Sequence, residues 1–270
     1  MMKDFFDREW WKNLLVAIIA TTVSIILTFG SASLFDLIQR KKDRKMTAMM
    51  VMSNIESFAR NLDRIAETLE RKDSVALWLL KLELEDMQLI TEQQMVIILS
   101  EVQLIEPIQR DKTAETIFSG NIETWKNMGN YKFIDHVGTC FSTMNWIEHY
   151  WNGEVAKHNE AFEKVLTDSG GIFKGNLAEK LLTDWQVRTK LFTIHAYREW
   201  LAAAAAEIRS SNRNNMRLIG ISEKDVLTFT DARTELIESD ETFSQLDYAL
   251  PYPDVSSLAP YSAQLDSLKR

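Results

Sequence analysis

The longest apolar run in the chain is Asn13–Phe35, NLLVAIIATTVSIILTFGSASLF, twenty-three residues without a charge. A helix of that length covers about 35 Å, enough to cross a bilayer's hydrocarbon with slight tilt. Trp10 and Trp11 stand at one edge and Arg40, Lys41, Lys42, Arg44 and Lys45 at the other, residue types that favour the lipid headgroup region. The pattern predicts one N-terminal transmembrane helix. Within it Ala17, Thr21, Ser24, Thr28 and Ser31 recur at spacings of 4, 3, 4 and 3, which sets small and hydroxyl side chains on one stripe. Small residues admit close helix approach and hydroxyls bond across the contact, so the stripe is read as a self-association site. The plainer alternative is that each hydroxyl bonds a carbonyl of its own helix.

Beyond the basic cluster the helical pattern continues to about Arg71. Val51, Ile55, Phe58, Leu62, Ile65 and Leu69 recur at 4, 3, 4, 3 and 4, a heptad seam. It reads either as a second helix-association surface or as the packed face of one helix in a bundle. Asp73 or Ser74 is expected to cap a separate helix over 75–89. Thr91-Glu92-Gln93-Gln94 has the capping-box form and opens a helix that Pro107 ends. Residues 116–128 look helical, Gly129-Asn130 reads as a left-handed stop, and a further helix runs toward Trp151. Gly153 is expected to break the chain before a charged helix over 154–167, and Asp168–Asn176 to form a loop. A long helix is predicted over 177–209, a polar linker over 210–215 and a last helix over 223–239. A Pro-bearing tail follows.

The predicted fold class is therefore all-α, one N-terminal transmembrane helix followed by a soluble multi-helix bundle. Its segments are a short extracytoplasmic N-terminus (1–12), the span (13–35), a basic flank and membrane-proximal helix (36–72), the bundle (73–239) and a flexible tail (240–270). Charge agrees with this division. Residues 1–45 hold eight Lys/Arg and five Asp/Glu, net +3, which leaves 23 against 34 and net −11 for 46–270. So acidic a body argues against nucleic-acid binding. The five cations that follow the span outnumber Lys3, Arg8 and Lys12 before it, so the positive-inside tendency places the C-terminal body in the cytoplasm, beneath the inner membrane. A single cysteine, Cys140, excludes an intrachain disulfide.

The order of anchor, basic flank and long helix, then Ile122-Glu123-Thr124-Trp125-Lys126-Asn127-Met128-Gly129-Asn130-Tyr131-Lys132-Phe133-Ile134 and an aromatic-rich helix ending Tyr150-Trp151, resembles a family of bacterial single-pass membrane proteins of unknown function. The resemblance covers residues 1–155 and implies architecture only.

Candidate chemistry is thin. Glu154 and His158 lie one turn apart, but a helical carboxylate–imidazole metal site normally has a second such pair, and none is present. His136 and Cys140 could form a dyad, against the default of a buried thiol. Asp168-Ser169-Gly170-Gly171 lacks the Gly-Lys-Ser/Thr of a phosphate loop. Trp125, Tyr131, Phe133, Phe141, Trp146, Tyr150 and Trp151 could line a pocket, or form aromatic core. No catalytic, cofactor or metal residues are assigned. The expected function is a non-enzymatic, membrane-tethered interaction module, partnered by the bilayer, by further copies of itself and by a protein on its acidic body. The alternative is a small oligomeric channel or membrane effector built on the hydroxyl stripe.

Overall fold

A computed structural model describes residues 8–103, 105–120, 125–126, 128–170 and 177–238; side chains at 8–14, 25–36, 92–93 and 96 lie outside that description. The chain is all-α. Eight helices are delimited among the described residues: α1 (Arg8–Leu80), α2 (Leu84–Gln88), α3 (Glu92–Val102), α4 (Thr113–Gly120), α5 (Tyr131–Asp168), α6 (Leu177–Thr183), α7 (Trp185–Ile219) and α8 (Glu223–Glu238). No strand occurs among them.

The spine is α1, 73 residues long and thus about 110 Å from end to end. From Ala48 to Leu79 its inner face is buried, and the heptad seam forms that face: Val51, Ile55, Phe58, Leu62, Ile65 and Leu69 are each at most 3% exposed. The seam is thus the packed face of one helix within the chain's own core, where α7 runs antiparallel to it. It is not open to a second copy. Arg209 of α7 reaches Glu56 and Asp63, Arg198 and His195 reach Asp73, and Arg188 donates to the Leu80 carbonyl. α8 lies on another side of α1, with Thr230 bonded to Ser53 at 3.0 Å and Asp231 paired with Arg60 at 2.7 Å. α5 closes the layer beside α7.

Several expected breaks are absent. Asp73 and Ser74 sit inside α1, because the Asp73 carboxylate serves His195 and Arg198 instead of starting a helix. The boundary placed at 72 accordingly falls within one helix. Gly153 is internal to α5. The supposed linker 210–215 is helical: Asn212 and Asn215 face inward and donate to the Met52 carbonyl and the Cys140 sulfur. Conversely, the helix predicted over 177–209 is two, since Asp184 caps α7 by accepting from the Gln186 and Val187 amides. The Thr91–Gln94 capping box is present in full.

The turn at Gly129 is as expected. Its φ is +62°, Asn130 caps α5 through the Phe133 amide, and Arg44 donates to the Met128 carbonyl at 3.2 Å. A Cβ at 129 would meet only the Arg44 guanidinium, at an ordinary 3.6 Å. Gly129→Ala therefore carries the backbone cost of the left-handed region, about 1 kcal/mol, and Gly129→Asn less; chemical denaturation of the three proteins measures both.

N-terminal to Ala48, α1 leaves the bundle. Side chains at 15–24 are exposed, including Leu15, Val16, Ile18, Ile19 and Val23, and so are Leu37 and Ile38. Of the uncharged stretch, the described side chains at 15–24 cover about 15 Å of helix, against a hydrocarbon core of about 30 Å. Among the described residues no helix is long and apolar enough to cross a membrane.

Candidate functional site

Two features are available for function: the exposed N-terminal part of α1, and polar groups that the bundle has drawn inward. On the first, Ala17, Thr21 and Ser24 are exposed, and the Thr21 and Thr22 hydroxyls donate to the Ala17 and Ile18 carbonyls, both at 2.7 Å. The Thr21 hydroxyl of the stripe thus bonds within its own helix, as Ser/Thr side chains commonly do. Thr28 and Ser31 lie outside the described side chains, as do Trp10 and Trp11. Arg40, Lys41, Lys42 and Lys45 are exposed, whereas Arg44 is drawn into the bundle at Met128.

The inward polar groups have a common purpose. Between α3 and α4 residues 105–111 have no regular structure, so their carbonyls have no helix ladder to bond. Side chains of α1 and α5 supply partners instead. Trp151 Nε1 donates to Glu106, Asn61 to Gln109 and Asn54 to Asp111, while Asn152 both donates to and accepts from the Ile108 backbone. Lys72 and His158 treat the end of α3 alike, bonding the Glu101 and Val102 carbonyls at 2.9 and 2.7 Å. Arg110, buried to its tip, is held by Glu115, Glu148 and Asn145. Asn54, Ser57, Asn61 and Arg64 line a cavity of about 520 Å³ between this strap and α1. The Arg64–Glu106 pair, 3.1 Å apart, is partly exposed at its edge.

A second polar centre is Glu154 on α5. Its carboxylate accepts from Lys157 (2.7 Å), Tyr197 (2.7 Å) and Lys190 (3.3 Å). Those donors, Lys157 first, hold its pKa down to about 2. Burial pushes the Tyr197 hydroxyl up to about 12, and the Glu154 charge adds to it. His158, one turn along, is fully buried. A carbonyl can only accept, so His158 Nε2 carries the proton and Nδ1 is a bare lone pair without a partner. Burial lowers its pKa to about 4. Glu154 and His158 therefore face different partners and do not converge as a ligand pair. Among the described residues no group of three or more His, Cys, Asp or Glu is placed to hold a metal ion.

The His136–Cys140 dyad is likewise not assembled. His136 is exposed, and Cys140 is buried with its sulfur 3.4 Å from Asn215. Burial raises the thiol's pKa, the opposite of what a nucleophile requires. Ser169 is buried at the end of α5. The aromatics divide. Phe133, Phe141 and Trp151 are core, whereas Trp125, Tyr131, Trp146 and Tyr150 reach the surface, and Trp146 stacks on Tyr150 at 5.5 Å beside Trp200. Sequence reasoning missed the Asp73–His195 pair, 2.9 Å apart and 122 residues apart in the chain. Its other ionic partners are Arg198 and Glu199, so it ties α7 to α1 and activates no neighbouring nucleophile. No local pattern could have announced it.

The chain matches no protein-family model, no curated protein and no solved structure.

Proposed function

We propose that the protein is a membrane-tethered, non-enzymatic interaction module, in which residues 13–35 anchor the chain as a single span and the helical body works by contact. The observation that carries this reading is the helix α1 itself. Seven of its ten exposed side chains at 15–24 are apolar, five of them large, and no other described residue covers them. Exposing so much contiguous apolar surface to water is unfavourable by about 25 cal/mol per Å², and a hydrocarbon environment removes that cost. The basic residues 40–45 follow at the position where cytoplasmic flanks are found, which orients the N-terminus outward and the body inward. Self-association, in this reading, runs through Ala17, Thr21, Ser24, Thr28 and Ser31 alone, because the seam at 51–69 is consumed by the bundle.

Full-length protein mixed with lipid vesicles is expected to float with them and to resist alkaline extraction, and the Ile18→Lys/Ile19→Lys variant is expected to be released. A wild-type chain that stays dissolved without detergent and sediments apart from vesicles overturns the tether. Crosslinking in membranes that yields monomers only overturns self-association and leaves the tether standing.

A further inference from the structure

At the end of the bundle remote from the uncharged stretch, α5 and the first turns of α7 enclose a cleft of about 350 Å³. That is within the size range of small-molecule sites. Three of its lining residues are lysines, Lys157, Lys164 and Lys190, in a body whose net charge is −11. Glu154 sits behind two of them. Its carboxylate fixes the Lys157 and Lys190 ammonium groups at 2.7 and 3.3 Å. Each ammonium has three N–H donors, and the bond to Glu154 uses one. Among the described residues Lys164 has no ion-pair partner. Among the described residues that line the cleft, Glu160 is the one carboxylate.

The opposite wall carries Trp185, 78% exposed, together with Gln186 and Thr189. A tryptophan ring so exposed, beside a cationic cleft, offers a flat apolar face on which no described aromatic ring stacks. The α7 amides at Gln186 and Val187 are already taken by Asp184, so recognition here would come from side chains and not from the helix terminus. Arg188 meets the Leu80 carbonyl, which puts the cleft at the C-terminal end of α1, about 68 Å along the helix from Phe35. Headgroups around residues 36–45 are out of its reach.

We propose that this cleft binds a small phosphorylated ligand bearing a flat ring, its phosphate among Lys157, Lys164 and Lys190 and its ring on Trp185. Charge-assisted bonds from ammonium to phosphate supply the anion term, and stacking on indole supplies the ring term. The inference goes beyond the tether reading and does not depend on it.

The test is calorimetric titration of the full-length chain in neutral detergent with AMP, inorganic phosphate and adenosine. AMP is expected to bind at least tenfold more tightly than phosphate, adenosine more weakly than AMP, and AMP binding to weaken as salt is raised. Lys157→Gln/Lys164→Gln should weaken AMP at least tenfold. Both side chains are exposed, but Lys157 also donates to Glu154, so a small drop in melting temperature with the fold retained is expected. Trp185→Ala should bring AMP to the level of phosphate, and serves as the second test if the double variant fails to fold. AMP that binds no better than phosphate, or binding indifferent to these substitutions, or no binding of either anion, overturns the proposal. Vesicle flotation is unaffected by any of these variants, so the two readings fail separately.

Discussion

Replacing Trp151 by alanine is expected to lower the unfolding free energy by about 3–5 kcal/mol, the largest loss from any single truncation in this bundle. The indole is fully buried in α5 and meets the Tyr197 ring edge to face at 5.6 Å. Removing it opens a cavity where α5, α7 and the strap converge, and neighbours fixed by their own hydrogen bonds cannot collapse into it. The Nε1–H bond to the Glu106 carbonyl, 2.9 Å long, is lost as well. Trp151→Phe separates the two causes: it keeps most of the ring and leaves the carbonyl without its donor, a loss of about 1–2 kcal/mol. Urea denaturation of the three proteins gives both numbers. A Trp151→Ala protein within 1 kcal/mol of wild type would mean that the strap and the two helices do not share one core.

The second large effect is a loss of stability in mild acid that belongs to one residue. His158 has an ordinary pKa of 6.5 and, folded, one near 4, because burial disfavours the imidazolium and the Lys190 and Lys72 charges repel it. Between those values the unfolded chain binds a proton that the folded chain refuses, so stability falls as pH drops from about 6.5 to 4 and then levels for this group. The span corresponds to about 3 kcal/mol. Glu154 acts lower down. Its folded pKa of about 2 lies under the ordinary 4.5, so its contribution is complete above 4.5 and disappears as pH falls toward 2. The windows are separable by measuring unfolding at pH 7, 5.5, 4.5 and 3. His158→Gln keeps an N–H near the Val102 carbonyl and has no titrating group, so it is expected to flatten the upper window and leave the lower one. An unchanged slope between pH 6.5 and 4.5 in that variant would assign the acid sensitivity elsewhere.

Local chemistry was legible in the sequence wherever a side chain serves its own neighbourhood. The Thr91–Gln94 capping box, the Gly129–Asn130 turn and the seam from Val51 to Leu69 all depend on residues a few positions apart, and each stands where the pattern put it. What misled was polar residues whose partners are remote. Asp73 resembles a helix start, yet its carboxylate is engaged by His195 and Arg198 across the bundle. Asn212 and Asn215 resemble a linker until Met52 and Cys140 meet them. Gly153 costs α5 about 1 kcal/mol of propensity, which a 38-residue packed helix absorbs. Asp184 was the converse case. An aspartate two and three residues ahead of the amides it accepts from is a readable cap, hidden by the apolar period on both sides. The lysine cleft was not legible at all, because Lys157 and Lys190 are brought together only by Glu154 and the pairing of α5 with α7.

Because one rod threads both the bare end and the body, there is no slack between them. Residues 37–47 add no joint: the helix passes through Arg44 and Ala48 without interruption. Inserting a single residue there would swing the whole body by about 100° around the rod and lift it about 1.5 Å, so its outward face is indexed to whatever grips the other end, as a key's bit is indexed to its bow.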